Sequence, residues 1–261
     1  MKNDRLKNIL GIPYLLFLAI FVVCPVLILL YYAFTNGAGQ FSMENFTLFF
    51  TDSKAIGTLI YSAAVAVSTT IVCLLIAYPV AYILAKGDFK RGNVLLMLFV
   101  MPMWINFTLR ITALKEILTM IEGNLAFHPF LNTVIGMTYD FLPFMILPIY
   151  NTIAKIDHSY IEAAKDLGAK SYRVFLRVIL PLSIPGIISG ITMVFLPSMT
   201  NYVVLDMMYN STYIMGSLVG SYFNMYDWNN GSVISMILLI LILLLSMMTG
   251  EFSDKEDNAY E

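Results

Sequence analysis

The stretch Asp157-His158-Ser159-Tyr160-Ile161-Glu162-Ala163-Ala164-Lys165-Asp166-Leu167-Gly168 is a charged segment within a strongly apolar chain. It lies between two apolar runs, 130–154 and 182–204. A helix that crosses a bilayer needs about 20 mostly apolar residues, so each run is long enough to span a membrane. The sequence therefore predicts a polar loop that joins two membrane spans.

Local signals predict that this loop folds as two short helices. Ser159, followed three residues later by Glu162, is a capping box, so we expect the first helix to start at Ser159. Gly168 supplies the left-handed residue that ends this helix. Ser171 is expected to cap a second helix, which leads to Pro181.

The first of these helices is expected to be amphipathic. Ile161, Ala164 and Leu167 recur at helical spacing and therefore share one face. An apolar face on a polar loop has to be covered. The residues alone leave three alternatives open: the bilayer surface, packing within the chain, or a docked protein.

Composition places the whole chain in a membrane. Of its 261 residues, 59% are hydrophobic and 12% are charged, and the mean hydropathy is +0.79. A soluble domain usually carries about 25% charged residues. The sequence therefore predicts an all-α, polytopic membrane protein, with membrane lipid among its partners and no nucleic acid.

Six apolar stretches are long enough to span the bilayer. No alternating strand pattern, internal repeat or soluble domain separates them, so we expect a six-helix transmembrane domain over 12–249, with the polar loop at 155–181. Residues 1–11 form an N-terminal segment and 250–261 an acidic tail. The predicted spans are 12–34, 57–85, 93–112, 130–154, 182–204 and 231–249.

The distribution of basic residues predicts the orientation. Of the 15 Lys and Arg residues, only Lys54, Arg110 and Lys115 fall on or near the outer side when the N-terminus is placed inside. Cytoplasmic loops carry the excess of Lys and Arg in membrane proteins. We therefore expect both termini in the cytoplasm of a bacterium, and a first apolar stretch, Ile12–Phe34, that stays in the inner membrane as a signal anchor.

Prolines recur inside the predicted spans, where each removes a backbone donor. We expect these helices to be kinked or broken. Two explanations stay open: bent helices line a pathway that opens alternately to either side, or proline is simply commoner in membrane helices. The residues are Pro25, Pro79, Pro102, Pro143, Pro148 and Pro197.

Catalytic and metal-binding motifs are missing from the sequence. Cys24 and Cys73 each lie in an apolar run, so we expect both to be small core residues. His128 and His158 stand alone, and neither H-E-x-x-H nor G-x-S-x-G occurs. No G-x-x-x-x-G-K-[ST] segment is present to hold ATP phosphates. We expect no enzyme, and any ATP must be bound by another chain.

Two ionisable residues lie within predicted spans, where a charge costs about 2.5 to 3.5 kcal/mol on insertion scales. Asp140 is about ten residues into its span and is expected to face the bundle interior. Arg110 is near the outer end of its span, so it either snorkels to the interface or pairs with Asp140. The sequence does not decide between these alternatives.

The loop carries a recognisable signature. Glu162-Ala163-Ala164, three residues, Gly168, nine residues, Val178, one residue and Leu180-Pro181 resembles the EAA motif of ABC importer permeases, in which Ile is usual in place of Val178. In that family the EAA loop forms coupling helices that insert into a cleft on a cytoplasmic ATPase. The resemblance implies that coupling residues here are Glu162, Ala163, Ala164, Gly168, Leu180 and Pro181.

Further segments resemble the spermidine/putrescine permeases of this family, over roughly residues 5 to 250. They include Pro102–Asn106, Tyr139–Tyr150 and Asp227-Trp228, whereas Met207–Ser211 departs from the usual Gly-Gly pair. The resemblance implies the type I importer permease fold and a polyamine cargo. Such a cation needs acidic acceptors and aromatic faces, and the candidate pathway residues are Trp104, Tyr139, Asp140, Tyr202 and Asp206.

The resemblance also implies an assembly: a second homologous permease, an ATPase dimer that binds ATP and Mg, and an external solute-binding protein. This chain itself is expected to bind no cofactor. Three alternatives stay open. The cargo could be ferric ion, thiosulfate or an amino acid; the chain could be a membrane assembly factor with a docking loop; or it could be a proton-coupled carrier, which the single deep acid, Asp140, disfavours.

Overall fold

The computed structural model describes residues 13–87, 92–208 and 211–257. Within these ranges the chain is helical apart from its connections and one isolated bridge between Thr35 and Phe41, so the predicted all-α class is confirmed there. We number the described helices in chain order as α1 Pro13–Ala33, α2 Glu44–Thr51, α3 Ser53–Lys86, α4 Gly92–Val100, α5 Phe107–Glu122, α6 Pro129–Lys155, α7 His158–Asp166, α8 Ser171–Leu182, α9 Ile184–Thr200, α10 Tyr202–Met207, α11 Met215–Asn224 and α12 Trp228–Asp257.

Three of these helices, α1, α3 and α6, are each long and apolar enough to cross a bilayer. Two pairs of consecutive helices, each bent at a short break, are long and apolar enough when each pair is counted as one span: Val94–Trp104 with α5, and α8 with α9. The described helices then provide up to five spans. The predicted span 231–249 lies inside α12, whose described apolar part is Trp228–Leu244. The predicted segment 1–11 and residues 258–261 of the acidic tail lie outside the described residues.

The predicted span 93–112 is divided in two. A 3-10 turn, Met101–Trp104, ends the first half, and the helices on either side of the break differ in direction by 97°. Pro102 lacks the backbone donor that would continue the helix. Asn106 then starts α5, because its side chain accepts hydrogen bonds from the N–H groups of Thr108 and Leu109. The result is an elbow at Ile105.

Most of the other prolines do not break their helices. Pro79 lies inside α3, Pro143 and Pro148 inside α6, and Pro197 inside α9, all of which are continuous. Pro25 follows a π-helical turn in α1. Proline is tolerated in membrane helices where neighbouring helices and local π adjustments satisfy the freed carbonyls. Of the two expected outcomes, kinked or broken, a break is found at Pro102, whereas Pro79, Pro143, Pro148 and Pro197 leave their helices unbroken.

The chain forms two compact units. The larger unit comprises Thr58–Gly216 together with the chain from Ile242. Its core surrounds α6, which buries Met137, Met145, Ile146, Ile149 and Ile153 completely. The predicted domain limits at 12 and 249 are not tested by this division and stay predictions.

Helices α6 and α9 approach closely because α9 has no side chain at two positions. A Cβ atom added at Gly186 would lie 2.8 Å from the carbonyl oxygen of Pro148, and one added at Gly190 would lie 2.6 Å from the sulfur of Met145. Small residues of this kind let membrane helices pack backbone against backbone. The seam between α6 and α9 therefore joins the two spans that flank the polar loop.

The smaller unit combines the chain up to Gly57 with Ser217–Leu241. Side-chain amides hold its connections: the buried Asn45 donates to the carbonyl of Thr35 at 2.8 Å, and the half-buried Asn229 donates to the carbonyl of Tyr32 at 3.0 Å. Cys24, which was expected in the core, is exposed on α1, whereas Cys73 in the larger unit is buried as expected.

Candidate functional site

The first helix of the polar loop begins at His158, and its cap lies two residues before the predicted cap at Ser159. Asp157 is the cap of α7: its carboxylate accepts a hydrogen bond from the N–H of Ser159 at 2.9 Å. A carboxylate at this position also interacts favourably with the helix dipole. The predicted capping box at Ser159 and Glu162 was therefore wrong, and Glu162 instead lies in the middle of α7 with its side chain exposed.

The end of α7 matches the prediction. Gly168 has a φ of +78°, its N–H donates to the carbonyl of Lys165 at 2.8 Å, and the N–H of Ala169 donates to the carbonyl of Ala164 at 3.0 Å. This pair of bonds is the Schellman motif, in which a left-handed residue satisfies the last carbonyls of a helix. A side chain at Gly168 would be strained by the backbone, although no atom lies within 4 Å of the position.

The second helix of the loop, α8, starts without a side-chain cap. Lys170 occupies the cap position and makes no capping bond, and Ser171 is the first helical residue, so the predicted Ser171 cap was wrong. A π-helical turn, Phe175–Ile179, follows. It ends at Ile179, two residues before Pro181, which cannot donate a backbone hydrogen bond. Leu180 and Pro181 then lead into α9.

The faces of the loop are only partly as predicted. Ile161 is buried and Ala164 is half-buried against the core of the larger unit. Leu167, expected beside them, is 90% exposed, because it is the last residue before the turn at Gly168. Glu162, Ala163 and Gly168 are exposed as well. Of the three alternatives for the apolar face, packing within the chain therefore covers Ile161, and the tip of the loop is left open.

A groove of about 300 Å³ lies beside the tip. Its lining alternates apolar and basic groups, among them Leu167, Val174, Arg173 and Arg177. An exposed apolar side chain next to a groove with basic residues is a surface suited to a protein that carries acidic groups. Of the predicted coupling set, Ala164 and Gly168 line this groove. Glu162 and Ala163 precede Ala164 in α7, and Leu180 and Pro181 lie at the C-terminal end of α8.

The C-terminal end of α3 contacts both ends of the polar loop, where α6 leads into α7 and where α8 leads into α9. Lys86 donates from Nζ to the carbonyl oxygen of Ile156 at 2.6 Å. The hydroxyl of Tyr78 lies 2.8 Å from Oγ of Ser183, and the ring of Phe175 packs edge-on against Tyr78 at 5.7 Å between ring centroids. None of these contacts was predicted. No local pattern in the sequence reveals a partner that lies 70 residues away.

A second cluster lies deeper in the larger unit. Nη2 of Arg110, on α5, lies 2.7 Å from Oδ1 of Asp140, on α6, and both side chains are 8% exposed. The structure thus decides between the two alternatives for Arg110: it pairs with Asp140. Nε and Nη1 of Arg110 are buried without a partner among the described residues. Breaking such a pair from one side typically costs about 3 to 5 kcal/mol, because one charge is left uncompensated.

The other predicted pathway residues are exposed. Tyr202 and Asp206 are four residues apart on one face of α10, while Val204 on the other face packs against Gly136. Tyr139 is 40% exposed on α6, and Trp104 is 86% exposed at the elbow. The structure therefore brings Asp140 to Arg110 and leaves the four remaining candidates on open surfaces.

Trp104 also borders a groove of about 540 Å³ between α4 and α6. Its walls are mostly apolar, from Leu96, Met97 and Leu147, with Asn151 as a polar group at the wall. The indole face together with an apolar wall suits a ligand with a methylene chain and cationic ends.

Comparison with known proteins agrees with this geometry. Residues 77–251 match the family model described as binding-protein-dependent transport system inner membrane component. The chain belongs to this family. It is therefore a multi-pass membrane protein and a transport component.

Named relatives extend the match to nearly the whole chain. It is 35% identical over 265 residues to the spermidine/putrescine transport system permease protein PotB of Haemophilus influenzae, covering 93% of this chain and 92% of the relative. The PotB protein of Escherichia coli is 34% identical over 224 residues, covering 80% of this chain and 81% of the relative.

Solved structures share the fold at low sequence identity. A bacterial ABC transporter involved in the import of alginate superposes with a TM-score of 0.71 at 15% identity, covering 97% of this chain and 96% of that chain. The inward-facing methionine transporter MetNI gives a TM-score of 0.56 at 16% identity, covering 77% and 97%. The predicted type I importer permease fold is thus confirmed.

Proposed function

We propose that this chain is the permease subunit of an ATP-driven importer of polyamines, such as spermidine and putrescine. The observation that carries the proposal is the 35% identity to a spermidine/putrescine permease over nearly the full length of both chains. Supporting it, the chain has an apolar groove beside Trp104 and exposed acid and aromatic groups on α10, as a methylene-rich cation requires. We infer that the chain has no catalytic turnover of its own.

The loop α7–α8 is proposed to dock on an ATPase dimer, which binds ATP and Mg. Glu162, Ala163 and Gly168 offer the exposed contact surface, and Leu167, the one residue of the predicted apolar face that is exposed, adds an apolar anchor. Well-packed apolar anchors carry much of the energy of protein interfaces. Closure of the ATPases on ATP would push this loop and switch the access of the pathway.

The remaining partners follow from the same proposal. A second homologous permease completes the pathway, and an external solute-binding protein delivers the cargo. We propose that both termini and the loop at 155–181 lie in the cytoplasm, because this orientation puts most Lys and Arg residues on the cytoplasmic side. A cysteine introduced at Lys170 should then resist an impermeant thiol reagent in intact cells, and labelling from outside would contradict this orientation.

The pathway is proposed to run past Trp104, Tyr139, Tyr202 and Asp206, which are exposed in this chain. Asp140 joins it when a cationic cargo displaces Arg110 from the buried pair. An incoming amine would replace the guanidinium as the cationic partner of the carboxylate, and the released Arg110 would have to find an acceptor in the open pathway.

Reconstitution tests the function. The chain, its partner permease, the ATPase and the binding protein are assembled in proteoliposomes, and uptake of labelled spermidine is measured with ATP supplied on the cytoplasmic side. Putrescine should compete, whereas ferric ion, thiosulfate and amino acids should not. Competition by one of those solutes alone would identify a different importer, and purification of the chain in a stable complex without any ATPase would favour an assembly factor.

A further inference from the structure

The inner, C-terminal end of α3 lies against the polar loop at 155–181, which we call the coupling loop. The loop has two arms: the connection from α6 into α7, and α8 leading to α9. Helix α3 belongs to neither arm in sequence, yet it contacts both. Contacts of this kind connect a membrane span directly to the element that meets a cytoplasmic partner.

The first arm is held by a charged donor on a backbone acceptor. Ile156 follows the last residue of α6 with extended dihedral angles, φ −65° and ψ 121°, so the chain turns there into the cap of α7. Its carbonyl oxygen accepts from Nζ of Lys86 at 2.6 Å. A hydrogen bond from an ionised donor is stronger than a neutral one. It fixes the peptide group immediately before Asp157.

Charge strengthens the same junction. The pKa of Asp157 lies below its ordinary value, chiefly because the N–H of Ser159 donates to the carboxylate, and to a smaller extent because of the positive charges of His158 and Lys86. Lys86 therefore attracts the carboxylate of the helix cap electrostatically and donates a hydrogen bond to the carbonyl before it. Both interactions act at the start of α7.

The second arm is held by aromatic and hydroxyl contacts. Phe175 of α8 lies against Tyr78 and Tyr82, at 5.7 and 5.5 Å between ring centroids and nearly perpendicular to both. Such edge-to-face pairs contribute beyond their buried area. The Tyr78 hydroxyl also reaches Ser183, at the junction between α8 and α9.

We propose that Lys86 is a positioning residue, through which α3 fixes the start of the coupling helix α7 and transmits its own movement to it. Tyr78 and Tyr82 do the same for α8. The inner end of α3 thereby acts as a clamp on both arms of the loop. This inference rests on the proposed function for its role in coupling, but its structural part can be measured without any substrate.

The structural test is hydrogen exchange of the α7 amides in the purified full chain in lipid nanodiscs. Lys86→Met removes the donor and keeps the stem, and exchange at the first turn of α7 should become about three- to tenfold faster, as expected for the loss of one hydrogen bond. Lys86→Arg keeps a charged donor and should stay within twofold of wild type. Lys155→Met is the matched control, because it removes an exposed lysine from the last turn of α6 and should change nothing.

The coupling test uses the assembled complex. Lys86→Met should lower the stimulation of ATP hydrolysis by loaded binding protein several-fold, with unchanged basal hydrolysis and membrane abundance, and Lys86→Arg should restore it. Unchanged α7 exchange in Lys86→Met, or an equal effect of Lys155→Met, would overturn the clamp. Faster exchange with normal stimulation would overturn its role in transmission. If Lys86→Met speeds α7 exchange as expected but the wild-type complex does not import polyamines, the proposed cargo is wrong and the clamp is still supported.

Discussion

Replacing Asp140 by Asn tests the buried pair with Arg110. Both side chains are 8% exposed, and a single bond of 2.7 Å joins them. The substitution keeps an acceptor oxygen and the side-chain shape but leaves the guanidinium charge uncompensated. Removing one partner of a buried pair costs about 3 to 5 kcal/mol; because an acceptor remains, we expect about 3 kcal/mol. At roughly 2 to 4 °C per kcal/mol for a chain of this size, the unfolding midpoint should fall by about 6 to 12 °C.

The assay is thermal unfolding of the purified chain in detergent, followed by size-exclusion chromatography. Asp206→Asn is the control, since this exposed carboxylate on α10 should change stability by less than about 0.5 kcal/mol. The double variant Arg110→Met, Asp140→Leu should recover most of the loss, because an apolar pair replaces the buried charges. Its spermidine uptake should nevertheless stay low if Asp140 contacts the cargo. A midpoint for Asp140→Asn within 2 °C of wild type would refute the energetic reasoning.

Three further predictions concern the seam and the loop. Gly186→Ala should destabilise the chain by about 1 to 3 kcal/mol in thermal unfolding, because the new methyl would lie 2.8 Å from a backbone oxygen; Gly57→Ala, with nothing within 4 Å, should not. Gly168→Val should abolish stimulated ATP hydrolysis at normal abundance, whereas Gly123→Val, with the same strained φ near +80° at the end of α5, should leave coupling intact. The pKa of the Asp157 cap is lowered in the folded chain, so the stability that its carboxylate gives to α7 is present at neutral pH and is lost as the pH falls through that lowered value. Hydrogen exchange of the α7 amides, corrected for the intrinsic effect of pH, should therefore stay constant down to about pH 4 and rise below it. Asp157→Asn should abolish this rise.

Features set by neighbouring residues were predictable from the sequence. The left-handed turn at Gly168 follows from one residue type at one position, and the structure contains it with the full Schellman bonding. The start of the same helix was misplaced because Asp157 and Ser159 are both good caps, two residues apart. The sequence does not show which of the two wins; the charge of Asp157 at the helix N-terminus is the physical difference.

Features set by contacts distant in sequence were not predictable. The bond from Lys86 spans 70 residues and ends on a backbone oxygen, so no side-chain pattern encodes it. The pair of Arg110 and Asp140 could be suggested from opposite charges, but their proximity depends on how α5 packs on α6. The exposure of Leu167 was also unexpected, because helical spacing assigns a face and does not show that the chain turns away at its end.

The elbow at Ile105 was expected as a break at Pro102, but its 97° change of direction was not, because hydropathy measures apolar length and carries no direction. It also gives the protein an optical reporter. The sequence has only two tryptophans, and Trp104 lies at the elbow, 86% exposed, while Trp228 stacks among aromatic rings of the smaller unit. Trp228→Phe would leave an indole whose emission colour and quenching depend on whether lipid, water or a second chain covers the elbow. Assembly and access changes could then be followed in real time by intrinsic fluorescence, without attaching a dye.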